Sequence, residues 1–182
     1  NISKKIGVMV IVVLAFTLKI AKIKVNGPTI DKETDKKNLI VTSFYPLFFI
    51  TSEIVGDKAD VHNITPAGAE PHDYEPTTLD MTKIERSKLL IVNGGKLEAW
   101  GENIKNNLSN KNKIISLGDH LVNNKIIEQN NIIRDPHIWL NPRLVKNEVE
   151  IIAQALSQID LVNSVYYENN AKNLNDKLEE LD

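Results

Sequence analysis

Two histidines in this sequence stand in settings that suit metal chemistry. His72 lies in "GAEPHDYEPTTLD" (residues 68–80), among Glu70, Asp73 and Glu75 and between Pro71 and Pro76. His137 lies in "DPHIWLNP" (residues 135–142), again directly after a proline. Imidazole is the commonest metal-ligating side chain. Proline fixes its own φ and restricts the residue before it, so a ligand placed after proline loses less backbone freedom when an ion binds. Ligating imidazoles usually donate their second ring N–H to a carboxylate. Asp135 is placed to accept from His137, and Asp73 or Glu70 from His72. The acids around His72 also raise the local negative potential, which draws in cations. Trp139 and Leu140 are expected to pack under the second loop. A lone histidine in a polar loop is ordinarily just solvated. The residues alone therefore leave open a metal site and a pair of proline-bounded turns.

Other candidates carry less. His62 sits inside a strand pattern, which reads as a core or face position. His120, in "LGDH", reads as a loop residue, solvated or at most an accessory ligand. Asn93-Gly94-Gly95-Lys96 lacks the frame of a phosphate loop and reads as a turn. No Ser/His/Asp arrangement and no H-E-x-x-H is present, and nothing pairs Glu70 or Glu75 with a nucleophile. The sequence is not expected to be an enzyme.

Composition narrows the chemistry further. The 182 residues, 42% of them hydrophobic, suffice for one domain with its own core. A net charge of -2, without lysines or arginines interleaved with aromatics, gives no pull towards nucleic acid. With no cysteine there is no disulfide framework, thiolate zinc site or cysteine-linked lipid. A transition metal would have to be held by His, Asp, Glu or water.

The chain opens with Lys4 and Lys5 before the apolar run "IGVMVIVVLAFTL" (residues 6–18), which Lys19 ends. That order fits an export signal, and the run is shorter than the roughly 20 residues of a membrane span. Ala15-Phe16-Thr17 is a loose match to a small-x-small cleavage site, and Lys19, Lys22 and Lys24 follow. Residues 1–25 are expected to be a signal that can stay as an anchor, and residues 26–38 a polar tether broken by Gly27-Pro28.

From residue 39 strand and helix patterns alternate. Strands are expected at 39–43, 59–64, 89–92 and 113–116. Helices are expected from Pro46 to Val55 with Gly56 as the stop, from Thr77 or Thr78 to Lys88, and over 97–108. Asn141 caps and Pro142 starts a long helix to Ile159, and a last helix runs from Ser164 to the end. The alternation predicts an α/β fold, a parallel sheet with helices on both faces. Ligands bind such sheets beyond the carboxyl ends of the strands, where both Pro-His loops are expected.

Four stretches together resemble the ZnuA-like solute-binding proteins of zinc and manganese ABC importers. They are "TSFYPLFFITSEIVGD" (42–57), "PAGAEPHDYEPTTLDM" (66–81), "LLIVNGGKLEAW" (89–100) and "DPHIWLNP" (135–142). The resemblance implies one lobe of a two-lobed protein whose lobes are joined by a long rigid helix. Residues 39–160 would be the N-terminal metal-binding lobe and 161–182 the start of the linking helix, the second lobe being absent. It implies His72 and His137 as metal ligands, with further ligands from the second lobe. It also implies an extracytoplasmic monomer that captures zinc, or alternatively manganese, and delivers it to a membrane permease. Histidine ligation leans towards zinc, while carboxylate oxygens favour manganese. Two other readings stand beside it: an exported metal-dependent hydrolase, and a metal-free adhesion or scaffold module on the same fold.

Overall fold

The computed structural model describes residues 37–110, 113–121, 125–128 and 131–180. The N-terminal signal and nearly all of the tether lie outside the described residues. The scaffold is a parallel sheet of β1 (Asn38–Thr42), β2 (Ala59–Asn63), β3 (Leu89–Val92) and β4 (Ile114–Ser116), in the order β2-β1-β3-β4. Parallel neighbours need crossovers, and each crossover here carries a helix. These are α1 (Tyr45–Val55), α2 (Thr78–Arg86) and α3 (Gly101–Asn107). The chain then forms a short α4 (Leu117–His120), an antiparallel hairpin of β5 (Lys125–Glu128) and β6 (Asn131–Arg134), and a 3-10 turn at Ile138–Leu140. It ends in α5 (Pro142–Ile159), a 3-10 turn at Leu161–Asn163 and α6 (Ser164–Glu179).

Strand periodicity decides which helix packs where. Successive side chains of a strand point to opposite faces. Ile40 and Ile91 join one apolar cluster with Leu47 and Ile54 of α1, Val149 and Ile152 of α5, and Tyr167 of α6. Val41, Leu90 and Val92 join a second cluster with Ile84 of α2 and Ile104 of α3. Helices therefore cover both faces, as the alternation of patterns predicts. On α6, Tyr167, Ala171 and Leu174 are the buried positions, at the spacing of one helix face. That face belongs to the first cluster.

Several boundaries differ from expectation. The first strand begins at Asn38, the residue assigned to the tether. The helix after the His72 loop stops at Arg86, because Ser87 is extended (φ -67, ψ 154) and Lys88 N–H already pairs with Leu39 O. The helix expected over 97–108 covers only Gly101–Asn107. Residues 97–100 are held in turns, with Leu97 N–H on Gly94 O, while the Glu98 side chain turns back to residues 93 and 94. The stretch read as a loop holds α4 and the β5–β6 hairpin, so His120 is helical.

The order β2-β1-β3-β4 has a consequence for ligands. The chain leaves β1 for β2 on one side, then crosses back to β3 on the other. Connections from the carboxyl ends of β1 and β3 therefore diverge and leave a crevice, the place where open α/β sheets bind ligands.

Candidate metal centre

The His72 loop is fixed at both ends. At its start, the β2 edge continues as Ile64 N–H bonds Thr42 O at 2.9 Å and Thr65 N–H bonds Ser43 O at 3.0 Å. At its end, α2 begins with a capping box. Thr77 Oγ1 accepts from Asp80 N–H at 3.2 Å, and Asp80 Oδ2 accepts from Thr77 N–H at 3.0 Å. Tyr74 O–H donates to the same oxygen at 2.9 Å. Burial opposes ionisation of Asp80, but the bonds from Thr77 and Tyr74 outweigh it and hold its carboxyl below the usual range. Between these pins, the His72 backbone N–H reaches Glu70 Oε1 at 3.4 Å. The imidazole itself has no carboxylate partner among the described residues, so neither Glu70 nor Asp73 takes the orienting role expected of it.

The His137 loop sits in the crevice between β1 and β3. From the β3 end, Asn93 Nδ2 donates to Pro136 O at 2.8 Å. Asn93 is itself held by buried Glu98, whose carboxylate accepts from the N–H groups of Asn93 (2.8 Å) and Gly94 (3.0 Å). Gly94, Gly95 and Lys96 have positive φ values of 76°, 62° and 71°, a run of left-handed residues that curls the backbone around that carboxylate. From the β1 end, Phe44 meets Trp139 edge to face, with ring centroids 4.7 Å apart. Trp139 in turn lies 5.3 Å from the His137 ring. Leu140, expected beside it under the loop, is exposed instead. Asp135 Oδ1 accepts from the His137 backbone N–H at 3.0 Å and from ring Nδ1 at 2.8 Å. These two bonds, the backbone one first, hold the Asp135 carboxyl below its ordinary range.

The two loops bring His72 and His137 together from 65 residues apart, with ring centroids 5.8 Å apart and planes at 57°. Two imidazoles on one tetrahedral zinc, each nitrogen at about 2.0–2.1 Å, hold their centroids roughly 5 Å apart. The observed separation is close to that spacing. With Nδ1 bonded to Asp135, Nε2 is the nitrogen of His137 left to ligate. Among the described residues no group of three or more His, Asp or Glu side chains converges. Two imidazoles are half of the ligand set of a four-coordinate zinc. An open cleft of about 630 Å³ adjoins the pair, lined by Phe44, Tyr45, Pro71 and Trp139 among others.

The other histidines are elsewhere. His62 Nε2 lies 2.8 Å from Lys83 Nζ on the β2–α2 side. Burial, and secondarily the Lys83 charge, hold its pKa down. His120 ends α4, exposed. Sequence reasoning missed Glu98 and the role of Asn93. The only signal was an acid a few residues beyond a Gly-Gly pair, a spacing that also fits an ordinary helix start.

The fold and the pair define the class: a parallel α/β domain with two histidines converging on its ligand-binding edge. The chain belongs to the ZnuA family, whose model, "Zinc-uptake complex component A periplasmic", matches residues 40–182. The chain is 34% identical over 164 residues to the high-affinity zinc uptake system protein ZnuA of Bacillus subtilis, covering 84% of this chain and 51% of that protein. It is 32% identical over 189 residues to the manganese ABC transporter substrate-binding lipoprotein PsaA of Streptococcus mitis, covering 98% and 59%. The crystal structure of Zn(II)-bound AdcA from Streptococcus pneumoniae superposes with a TM-score of 0.71 at 31% identity, covering 80% of this chain and 31% of that one. The chain thus spans about half the length of the Bacillus relative. The family consists of metal-binding components of transport systems rather than enzymes.

Proposed function

We propose that this chain is the N-terminal lobe of an extracytoplasmic solute-binding protein that captures a divalent transition metal, zinc ahead of manganese, for an ABC importer. The observation that carries the reading is the convergence of His72 and His137 at 5.8 Å on the ligand-binding edge of the sheet. Asp135 fixes the His137 tautomer, and Asn93 and Trp139 place the loop. Two neutral imidazoles suit zinc better than manganese, which prefers oxygen ligands. Relatives named for each metal exist, so the preference rests on the ligands in this lobe.

The relatives' additional length supplies the rest of the shell. α6 ends with Glu179 paired to Lys146, which lies in the second turn of α5. Since α5 starts five residues after His137, chain continuing from α6 emerges on the side of the lobe that carries the histidines. In this reading a second lobe, joined through residues 161–182, closes over the cleft. The loaded monomer then hands its metal to a membrane permease. Residues 1–25 export the chain and, uncleaved, anchor it; the sequence contains no cysteine for the lipid that the Streptococcus mitis relative's name implies.

Calorimetric titration of zinc and of manganese tests this. One zinc should bind weakly, more tightly than manganese. His72→Ala and His137→Ala should abolish it, and His62→Ala and His120→Ala should leave it intact. Undiminished zinc affinity in His72→Ala would overturn the assignment.

A further inference from the structure

We infer that the end of the lobe opposite the histidine pair is a lipid-contacting surface, seated in the headgroup region of the bilayer. The α5–α6 corner exposes a group of apolar side chains that the fold does not use. Leu161 is 78% exposed, Val162 94% and Val165 66%, with Ile159 partly exposed beside them, while Tyr166 packs on Gly56 at their edge. Turns normally take polar residues, and clustered exposed apolar side chains mark interaction sites. The corner is built without them. Asp160 accepts from Asn163 N–H at 3.3 Å, Asn163 Nδ2 at 2.8 Å and Tyr167 O–H at 2.7 Å. The inward face of α6 is supplied by Tyr167, Ala171 and Leu174.

Three observations choose the occupant. First, the Asp160 carboxylate also accepts from the Asn38 side chain, so the lobe's first strand starts at this corner. The apolar run 6–18 lies upstream of it, and the 18 residues from 19 to 36 can span at most roughly 65 Å. The chain that links that run to the lobe therefore joins the lobe at this pole. Second, the rim has the makeup of a membrane interface. Lys58 Nζ lies 5.3 Å from the Tyr166 ring centroid. Tyrosine and lysine with apolar bodies and polar tips favour that position. Lys37 and Lys58 are offset by Asp57 and Asp160, so seating is apolar rather than electrostatic. Third, α6 carries the chain away from the corner over about 24 Å, so the residues that follow it depart from the other end. Seated this way, the lobe presents the cleft of His72 and His137 away from the bilayer, in a metal-collecting pose. The inference rests on the reading of residues 1–25 as a retained anchor.

The absence of cysteine makes the test direct. The full chain carrying Val162→Cys, labelled with an environment-sensitive fluorophore, is reconstituted into phosphatidylcholine vesicles containing nitroxide lipid. A Thr78→Cys chain labels the cleft side. The Val162 probe should shift to the blue and be quenched several-fold more than the Thr78 probe, with little change at high salt. Adding Leu161→Ser and Val165→Ser should reduce the quenching while the chain still floats with the vesicles. A chain that floats with an unquenched Val162 probe overturns this inference and leaves the anchor standing. A chain that does not float overturns the anchor and this inference with it. A blue shift without vesicles that grows with protein concentration assigns the patch to a second copy and also overturns it.

Discussion

One carboxylate oxygen of Asp135 accepts from His137 twice, from the backbone N–H at 3.0 Å and from ring Nδ1 at 2.8 Å. The first bond shapes the loop and the second selects the tautomer, so a single acid sets both the position and the lone pair of a ligand. Asp135→Ala should therefore weaken zinc binding roughly 10–100-fold, the usual cost of losing such a partner. The melting temperature should change little, because the pair is partly exposed. Competition with a chromogenic chelator gives the affinity, and nitrogen-15 spectra of the imidazoles give the tautomer. A variant whose His137 tautomer scrambles while zinc affinity holds would separate Asp135 from metal binding.

Asn93 ties the carboxyl end of β3 to the same loop through Pro136 O. Removing its amide takes one of two donors from that carbonyl, which keeps the Ile138 N–H at 2.9 Å, a net loss of about 0.5–1.5 kcal/mol. Asn93→Ala should lower stability by that order and zinc affinity by several-fold, because the loop is then held only from the Phe44–Trp139 side. Urea unfolding and zinc titration on one preparation check both. Lost stability with zinc affinity unchanged would make Asn93 a structural residue alone.

Much of this lobe is visible in the sequence, for identifiable reasons. Residues 39–43 and 89–92 are short β-branched or aliphatic runs bounded by turn residues, the form that strands buried on both faces take. Pro46, Gly56, Asn141 and Pro142 mark helix ends through backbone chemistry that tertiary context does not override. His72 and His137 stand out because proline and acids are unusual company for a solvated histidine. What stayed hidden is nonlocal. Glu98 reads as the start of a helix until the left-handed run at 94–96 turns two backbone N–H groups towards it. The β5–β6 hairpin is local but hidden for another reason: Lys125–Glu128 and Asn131–Arg134 each carry two adjacent isoleucines and no alternation to mark a strand.

The cap that ends the His72 loop has its own pH signature. Asp80 has a folded pKa below its ordinary 3.8, so the stability it contributes is present above that value and is lost as pH falls through the folded pKa. Thr77→Ala should cost about 1 kcal/mol near neutral pH. Part of that difference should disappear at pH 2, where protonated Asp80 no longer accepts strongly from the Thr77 hydroxyl, 2.7 Å from Oδ2. Urea titrations of wild type and variant at the two pH values decide it. An equal cost at both would show that the hydroxyl serves the cap only as the acceptor of Asp80 N–H.

Glu148 makes the opposite prediction. It lies on the inner face of α5, is fully buried, and neither carboxylate oxygen has a hydrogen-bond partner. Burial in apolar surroundings pushes its pKa from 4.5 up to about 8. Between these values the folded chain keeps a proton that the unfolded chain has released. Stability therefore falls as pH rises through that window, by about 1.4 kcal/mol per unit. At pH 7 the loss is roughly 3 kcal/mol relative to the same chain with Glu148 protonated in both states. Methionine is close in length and adapts to irregular gaps, so Glu148→Met should raise stability most at pH 8 and least at pH 5. Zinc affinity should be untouched, since Glu148 lies more than one turn along α5 from the His137 loop, on its buried face. Thermal unfolding of both chains from pH 5 to 8 measures the slope. If wild type and Glu148→Met lose stability in parallel across that range, the buried carboxylate is not the group being titrated.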